Sequence, residues 1–501
     1  MTLNNLSATQ IGRKIIDGEL TSQEATAYFL AQIKTHHPEI NAVIAERFEA
    51  AMEDARAADE ARDRGDIAGP LHGVPMTIKD AFEVTGLTCD VGAPNFANII
   101  SENDAVVVQR LKQAGAIILG KTNTPLFCAD WQSYNALHGT TNNPHNLAHT
   151  PGGSSGGSTA ALAAGMTPLE YGSDIGGSIR IPAHYCGLFG HKPTLGIVPP
   201  RGHVPPVHGA LAASDLSVVG PLGKYVADIR LAFDLTVGLE PPASQAMQIE
   251  LQGPRAEEPE DLRIGVWASD AFCEVDSEIE AAIIEAADKL AAKGATLIPV
   301  KPDFSLARHT EVYMMLLNAT MGRGYSPSVH ARLQAVIDAA PEDDTSWPVL
   351  QARGARLSHA HWQNWHEERM QLAAKWAALF EQVDVIFCPV SPTPAMAHDQ
   401  SADFTARKIS VNGAARDYFD NIVWPGVATL CGLPATSVPL ARHSSGLPFG
   451  MQIVGPAYED NTAAGKCRVK PFSISCAQAG SILHDLPGLG ESSLPPSERQ
   501  P

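Results

Sequence analysis

The chain has 501 residues, 44% of them apolar and 18% charged, which supplies side chains for a large core and excludes global disorder. Its 36 basic and 55 acidic residues leave a net charge of −19. A surface of that sign repels phosphate backbones, which argues against nucleic acid as a direct partner.

The start, Met1-Thr2-Leu3-Asn4-Asn5, has neither a basic nor an apolar leader, so no secretory signal is expected. No run of about 18 apolar residues occurs, so no membrane span is expected either. The eight cysteines are scattered with no Cys-x-x-Cys pair, the pattern of reduced thiols in a cytoplasmic enzyme.

The first 66 residues read as a helical segment packing on the core. Thr21 and Glu24 form a capping-box pattern ahead of a helical repeat from Glu24 to Ile33, and a charged helix spans about Arg47 to Arg64. Val74 to Asp80 reads as a short apolar strand ending on charge. Asp104 to Gln113 reads as a helix, and Ala116 to Gly120 as a buried strand. From Thr140 to Gly223 the chain is rich in Gly, Ser, Pro and Thr, with Ile175, Ile179, Ile181, Leu188 and Phe189 interleaved. That mixture implies unusual backbone conformations around a site, not a linker. Farther on, Leu262–Trp267, Ser277–Lys293 and Ala295–Val300 make a βαβ unit. A long helix over about His359 to Phe380 precedes strands at Val383–Pro389, Ala435–Leu440 and Phe449–Val454. The expected fold is α/β: a large mixed β-sheet core flanked by helices on both faces, without internal repeats.

Two glycine-serine loops carry the candidate chemistry: Pro151-Gly152-Gly153-Ser154-Ser155-Gly156-Gly157 and Ser173-Asp174-Ile175-Gly176-Gly177-Ser178-Ile179-Arg180. Small neighbours let a carbonyl approach the backbone, and consecutive free N–H groups can meet a developing oxyanion. Serine needs a base. Gly152-x-Ser154-x-Gly156 matches a nucleophile elbow formally, yet the preceding residues 146–151 do not read as the strand that an elbow requires. No Gly-Lys-Ser/Thr closes the loop, so a P-loop fails as well. The other available base is Lys79. To serve near neutral pH its pKa must fall from about 10.4 to roughly 7–8, a shift of about 3–5 kcal/mol, and a solvated strand end is the plainer reading of such a lysine.

Five motifs stand in order: Gly73-Val-Pro-Met-Thr-Ile-Lys79-Asp80, Gly120-Lys-Thr-Asn-Thr124, Pro151 to Gly157, Asp174 to Arg180, and Lys192-Pro-Thr-Leu-Gly196. Together they resemble the amidase-signature family of serine hydrolases over about residues 5 to 460, with Ser154 and Ser178 lying 24 positions apart as in that family. The resemblance implies Ser178 as the acylated nucleophile and Ser154, after a cis peptide bond, as the proton carrier to Lys79. It implies an oxyanion hole from the N–H groups of Ile175, Gly176, Gly177 and Ser178, with Ser155, Asp174 and Arg180 as supports, and no metal or organic cofactor. It makes residues 67–462 the catalytic domain. Residues 463–501, broken by Pro471, Gly480, Pro487, Gly488, Pro495 and Pro496, depart from the family and read as a poorly ordered tail.

Trp131, Gln132, Ser133, Tyr134 and His203 are the candidate pocket residues, with Leu137 and the proline-rich stretch 199–206 beside them. They favour an aryl or hydrophobic amide. A carbamate (urethane) or ester offers Ser178 a similar carbonyl. The rival is a glutaminase subunit of a tRNA-dependent amidotransferase; a silent binding protein is disfavoured by retention of Lys79, Ser154 and Ser178. The partners expected are the small-molecule substrate alone and at most a second copy of the chain, as monomer or homodimer. Met314, Met315, Leu316, Leu317 and Met321 read as a core helix or, alternatively, an adaptable pocket wall. His191 replaces an apolar family residue and either touches the site or bonds in the core. His138, His145 and His149, His203 and His208, and His359-Ala-His361 match no metal-ligand spacing.

Overall fold

The computed structural model describes residues 3–205, 207–256, 258–300 and 302–464. The tail expected to be poorly ordered therefore lies, but for its first two residues, outside the described residues.

In chain order the strands are β1 (Val43–Glu46), β2 (Pro75–Lys79), β3 (Ile117–Thr122), β4 (Tyr134–Asn135), β5 (Gly139–Thr140), β6 (Leu169–Asp174) and β7 (Phe189–Lys192). They continue with β8 (Val218–Gly223), β9 (Arg263–Val266), β10 (Thr296–Pro299), β11 (Val385–Pro389), β12 (Lys408–Val411), β13 (Ala414–Asp417), β14 (Ala435–Arg442) and β15 (Pro448–Val454). Eight form one mixed sheet in the order β10-β9-β11-β15-β14-β7-β8-β6, parallel among β9, β10 and β11 and antiparallel elsewhere. Both faces are covered, as alternation along β11 shows. Val385 and Phe387 pack with Ile279 and Ile283 of the helix Ser277–Ala291, whereas Ile386 and Cys388 join Tyr313, Trp376 and Trp424 on the other side.

Strands β1, β3 and β2 form a separate three-stranded sheet. The sequence patterns point to a single sheet and to helices alone before residue 67. Val43–Glu46 nonetheless pairs antiparallel with β3; four residues without clean alternation give too short a pattern to read. The helices Ala8–Ile16 and Ser22–Ile40 open with capping boxes at Ser7 and Thr21. Their Ile11, Ile15, Phe29 and Ile33 share a buried cluster with Ile78, Ile118 and Tyr171.

The edges of the two sheets, β2 and β6, lie side by side without a backbone ladder. Side chains bridge them instead. Thr77 N–H donates to Thr167 Oγ1 (3.0 Å), Thr77 Oγ1 donates to Glu170 Oε1 (2.6 Å), and Lys79 Nζ donates to Ser173 Oγ (2.9 Å). The candidate site sits at the end of this seam.

Candidate active site

Lys79 ends β2 fully buried, and its Nζ donates to Ser154 Oγ at 2.7 Å as well as to Ser173. Burial pushes its pKa below the ordinary lysine value, and the nearby acidic groups Cys128, Asp174 and Glu170 restore only part of the loss. The solvated strand end is thereby ruled out. The neighbouring Lys121 holds Asp80 at 2.8 Å, both buried, and burial raises the Asp80 carboxyl to about 6 against that pull.

Ser154 follows a cis peptide bond from Gly153. A Cβ at Gly153 would stand 2.4 Å from Asp130 O and 2.7 Å from Gln132 N, so only glycine lets this loop lie against residues 130–132. Ser133 braces the same loop: its Oγ donates to Gly152 O (3.0 Å) and accepts from Gly156 N–H (3.1 Å). Ser155 N–H donates to Ser178 C=O at 3.2 Å, tying the two serine loops together. The Ser155 side chain does not act as the hydrogen-bonding prop expected of it, for its buried Oγ has no partner among the described residues.

Ser178 sits between β6 and the helix Arg180–Cys186. Asp174, at the end of β6, accepts from Gly177 N–H (2.9 Å) and Ile179 N–H (3.2 Å) and from Arg180 Nε (3.0 Å) and Nη2 (2.9 Å). Burial alone would raise the Asp174 carboxyl, but Arg180, Lys192 and the Gly177 N–H outweigh it and the pKa falls. Arg180 in turn reaches Pro425 O, Gln452 Oε1 and Thr429 Oγ1 at 2.7–2.9 Å. One expectation changes here. Gly177 N–H is committed to the carboxylate, so of the four donors proposed for an oxyanion only those of Ile175, Gly176 and Ser178 lack an acceptor among the described residues.

Ser178, Ile175 and Gly176 line a cavity of about 640 Å³, together with Phe127, Cys128, Trp131, Tyr134, Phe404, Phe419 and Ile422. The helix Leu306–Met321 adds Met314, Leu317, Asn318 and Met321, a stripe at i, i+3, i+4 and i+7, while Met315 and Leu316 pack into the core. Both readings of that helix hold, on different faces.

Gln132, Ser133 and His203 do not line this cavity. Gln132 points the other way, pairing with the Asp399 backbone through Nε2 (2.7 Å) and Oε1 (3.0 Å), and Ser133 faces the Ser154 loop. His203 borders a smaller cavity of about 200 Å³ with Pro199 and Pro200, so the proline-rich stretch belongs there too. Its ring packs edge-on to Phe82, and burial, with Lys79 nearby, lowers its pKa to about 3. His191 bonds Thr436 Oγ1 (2.9 Å) and Asp460 Oδ1 (3.2 Å) in the core, away from the cavity. Sequence reasoning missed Ser173, the second partner of Lys79, although it opens the quoted Ser178 motif.

Among the described residues no three His, Cys, Asp or Glu side chains are grouped to hold a metal, and no helix is long and apolar enough to cross a membrane. The six described cysteines are free.

Known proteins point the same way. A family model described as Amidase matches residues 24–463. An indoleacetamide hydrolase of Bradyrhizobium diazoefficiens is 32% identical, over 91% of this chain and 84% of that protein. A glutamyl-tRNA(Gln) amidotransferase subunit of Psychrobacter cryohalolentis is also 32% identical, over 92% of this chain and 94% of that one. The solved structure of a bacterial aryl acylamidase of the amidase-signature enzymes superposes with a TM-score of 0.79, at 22% identity over 97% of this chain and 99% of that one, and shows the shared fold. The chain belongs to the amidase family, in its amidase-signature form, and is a hydrolase acting on amides.

Proposed function

We propose that the chain is a free-standing amidase that cleaves the C–N bond of aryl or hydrophobic amides through an acyl-enzyme on Ser178. The observation that carries this reading is the buried Lys79–Ser154 hydrogen bond of 2.7 Å beside a serine that opens on an apolar cavity. Neutral Lys79 takes a proton through Ser154 as Ser178 Oγ attacks the carbonyl, and the free N–H groups of the Ile175–Ser178 loop meet the oxyanion. The relay then returns the proton to the leaving nitrogen, which would otherwise depart as a strongly basic anion. Water deacylates Ser178 by the same relay. The scheme draws on no metal or organic cofactor.

The cavity walls support the choice of substrate. Trp131, Phe127, Phe404 and Phe419 offer aromatic surface, and no lysine, arginine or histidine is among the described lining residues. Glutamine would bring an α-carboxylate into that space with no cation to receive it. This disfavours the glutaminase reading, although amidotransferase subunits are among the relatives. The name of the indoleacetamide hydrolase, which contains an aromatic amide, agrees with it. Carbamates and esters present the same carbonyl and form the second reading. The enzyme is taken to act as monomer or homodimer without a companion chain.

The test is a turnover panel of anilides, primary amides, aryl carbamates, esters and glutamine on the purified chain. Anilides or aromatic primary amides should lead; turnover confined to glutamine overturns the proposal. A serine-reactive phosphonate should add its mass to the wild type and not to Ser178→Ala.

A further inference from the structure

Three consecutive peptide units run from Ile175 to Ser178, and each is held by its carbonyl. Ile175 C=O accepts from the Tyr313 hydroxyl. Gly176 C=O accepts from Trp131 Nε1 at 2.8 Å, and the N–H at the other end of that unit reaches Asp174 at 2.9 Å. Gly177 C=O accepts from Ile181 N–H at 2.7 Å. In a trans peptide C=O and N–H point in opposite directions, so pinning the oxygen aims the hydrogen. The Tyr313 bond thus aims Gly176 N–H, and the Ile181 bond aims Ser178 N–H, on a loop whose Ile175, Gly176 and Ser178 line the cavity.

We infer that Trp131 and Tyr313 are positioning residues for the oxyanion hole, and that Trp131 couples it to the substrate pocket. The inference rests on Ser178 as nucleophile. Trp131 has two engagements: its ring lines the cavity, packed on Tyr418 and Phe419 with centroids at 5.3 and 5.9 Å, and its N–H holds the Gly176 carbonyl. A substrate group lying on that ring presses on the side chain that holds the middle peptide unit, which joins the two units carrying the free Gly176 and Ser178 N–H groups. Tyr313 reaches the loop from the cavity-lining helix, its ring filling the space that a Cβ on Gly426 would need at 2.7 Å. Neither side chain transfers a proton in this role. Their hydrogen bonds fix dipoles before charge develops, where preorganisation counts most.

Trp131→Phe keeps a ring and removes the N–H; Tyr313→Phe removes one oxygen. Each is measured on an anilide, with an aryl trifluoromethyl ketone as the probe that forms a tetrahedral oxyanion on serine and aniline as the ground-state probe. Each variant should lose about 10- to 100-fold in kcat with KM within about threefold. Ketone affinity should fall by the same factor as kcat/KM, and aniline affinity should stay unchanged. Wild-type kcat in both variants overturns the inference, as does a parallel loss of ketone and aniline affinity, which would make the residues walls only. If Trp131→Phe does not fold, Tyr313→Phe gives the same readout. Ser178→Ala separates the two ideas: ketone affinity surviving in it refutes the nucleophile assignment, whatever the Phe variants do.

Discussion

Lys79 Nζ lies 2.7 Å from Ser154 Oγ and 2.9 Å from Ser173 Oγ, and among the described residues no carboxylate is paired with it. Two hydroxyls compensate poorly for the lost hydration of an ammonium, which is why burial lowers the pKa of this lysine. The proposed mechanism requires a neutral Lys79, so activity is expected to disappear as pH falls through its lowered pKa. Lys79→Met should cost about 10²- to 10⁴-fold in kcat on anilides and remove that acidic limb. A pH–rate profile of the variant that keeps the limb would assign it to another group.

The Asp174–Arg180 pair has both side chains fully buried at 2.9 Å. Removing one partner strands the other charge in the interior. Arg180→Met is expected to destabilise the fold by about 3–5 kcal/mol, read as a lowered denaturant midpoint. A change below about 1 kcal/mol would mean that Asp174 finds another partner.

Glu170, on the seam between the sheets, is raised from 4.5 to about 7 by burial, against the hydrogen bonds from Thr77 and the Tyr171 amide. The folded state thus keeps a proton over a range where the unfolded chain has released it. Its contribution to stability is full below about pH 4.5 and is lost as pH rises towards 7, in total on the order of 3 kcal/mol. Glu170→Gln should flatten this part of the stability–pH curve; an unchanged slope would place the titration elsewhere.

Leu317 lines the cavity from the helix Leu306–Met321, one turn from Met314 and Met321. Leu317→Trp should fill part of the space, cutting kcat/KM for bulky aryl-acyl anilides by about 10-fold or more while leaving acetanilide within about twofold. Equal losses on both substrates would point to damage beyond the pocket.

Much of the candidate site could be named before any geometry was known, because Lys79, Ser154 and Ser178 each lie in a short motif whose order along the chain is specific. The pocket was less legible. Trp131 and Tyr134 do line it, but Gln132 and Ser133 between them face Asp399 and the Ser154 loop. Adjacency in sequence does not tell which way successive side chains point in irregular backbone. Met314 and Leu316 look alike as residues and both join the buried cluster, and only the packing of their helix brings Met314 to the cavity wall as well. The strand Leu169–Asp174 escaped notice because Gly172 and Ser173 interrupt its apolar pattern, and there burial against β2 and β8 outweighs propensity.

By itself the sequence determined the family, the mixed α/β class and the three residues on which the proposed chemistry rests, since these are carried by local motifs and by periodicity. The tertiary structure decided what those motifs face. It separated the strands of the three-stranded sheet from those of the eight-stranded one, buried Lys79 at the seam between these two sheets, committed Gly177 N–H to Asp174, and turned Trp131 so that one side chain borders the cavity and holds the Gly176 carbonyl. Such relationships join residues distant along the chain, and their energies arise from desolvation and from the direction of hydrogen bonds, neither of which exists until the chain has packed.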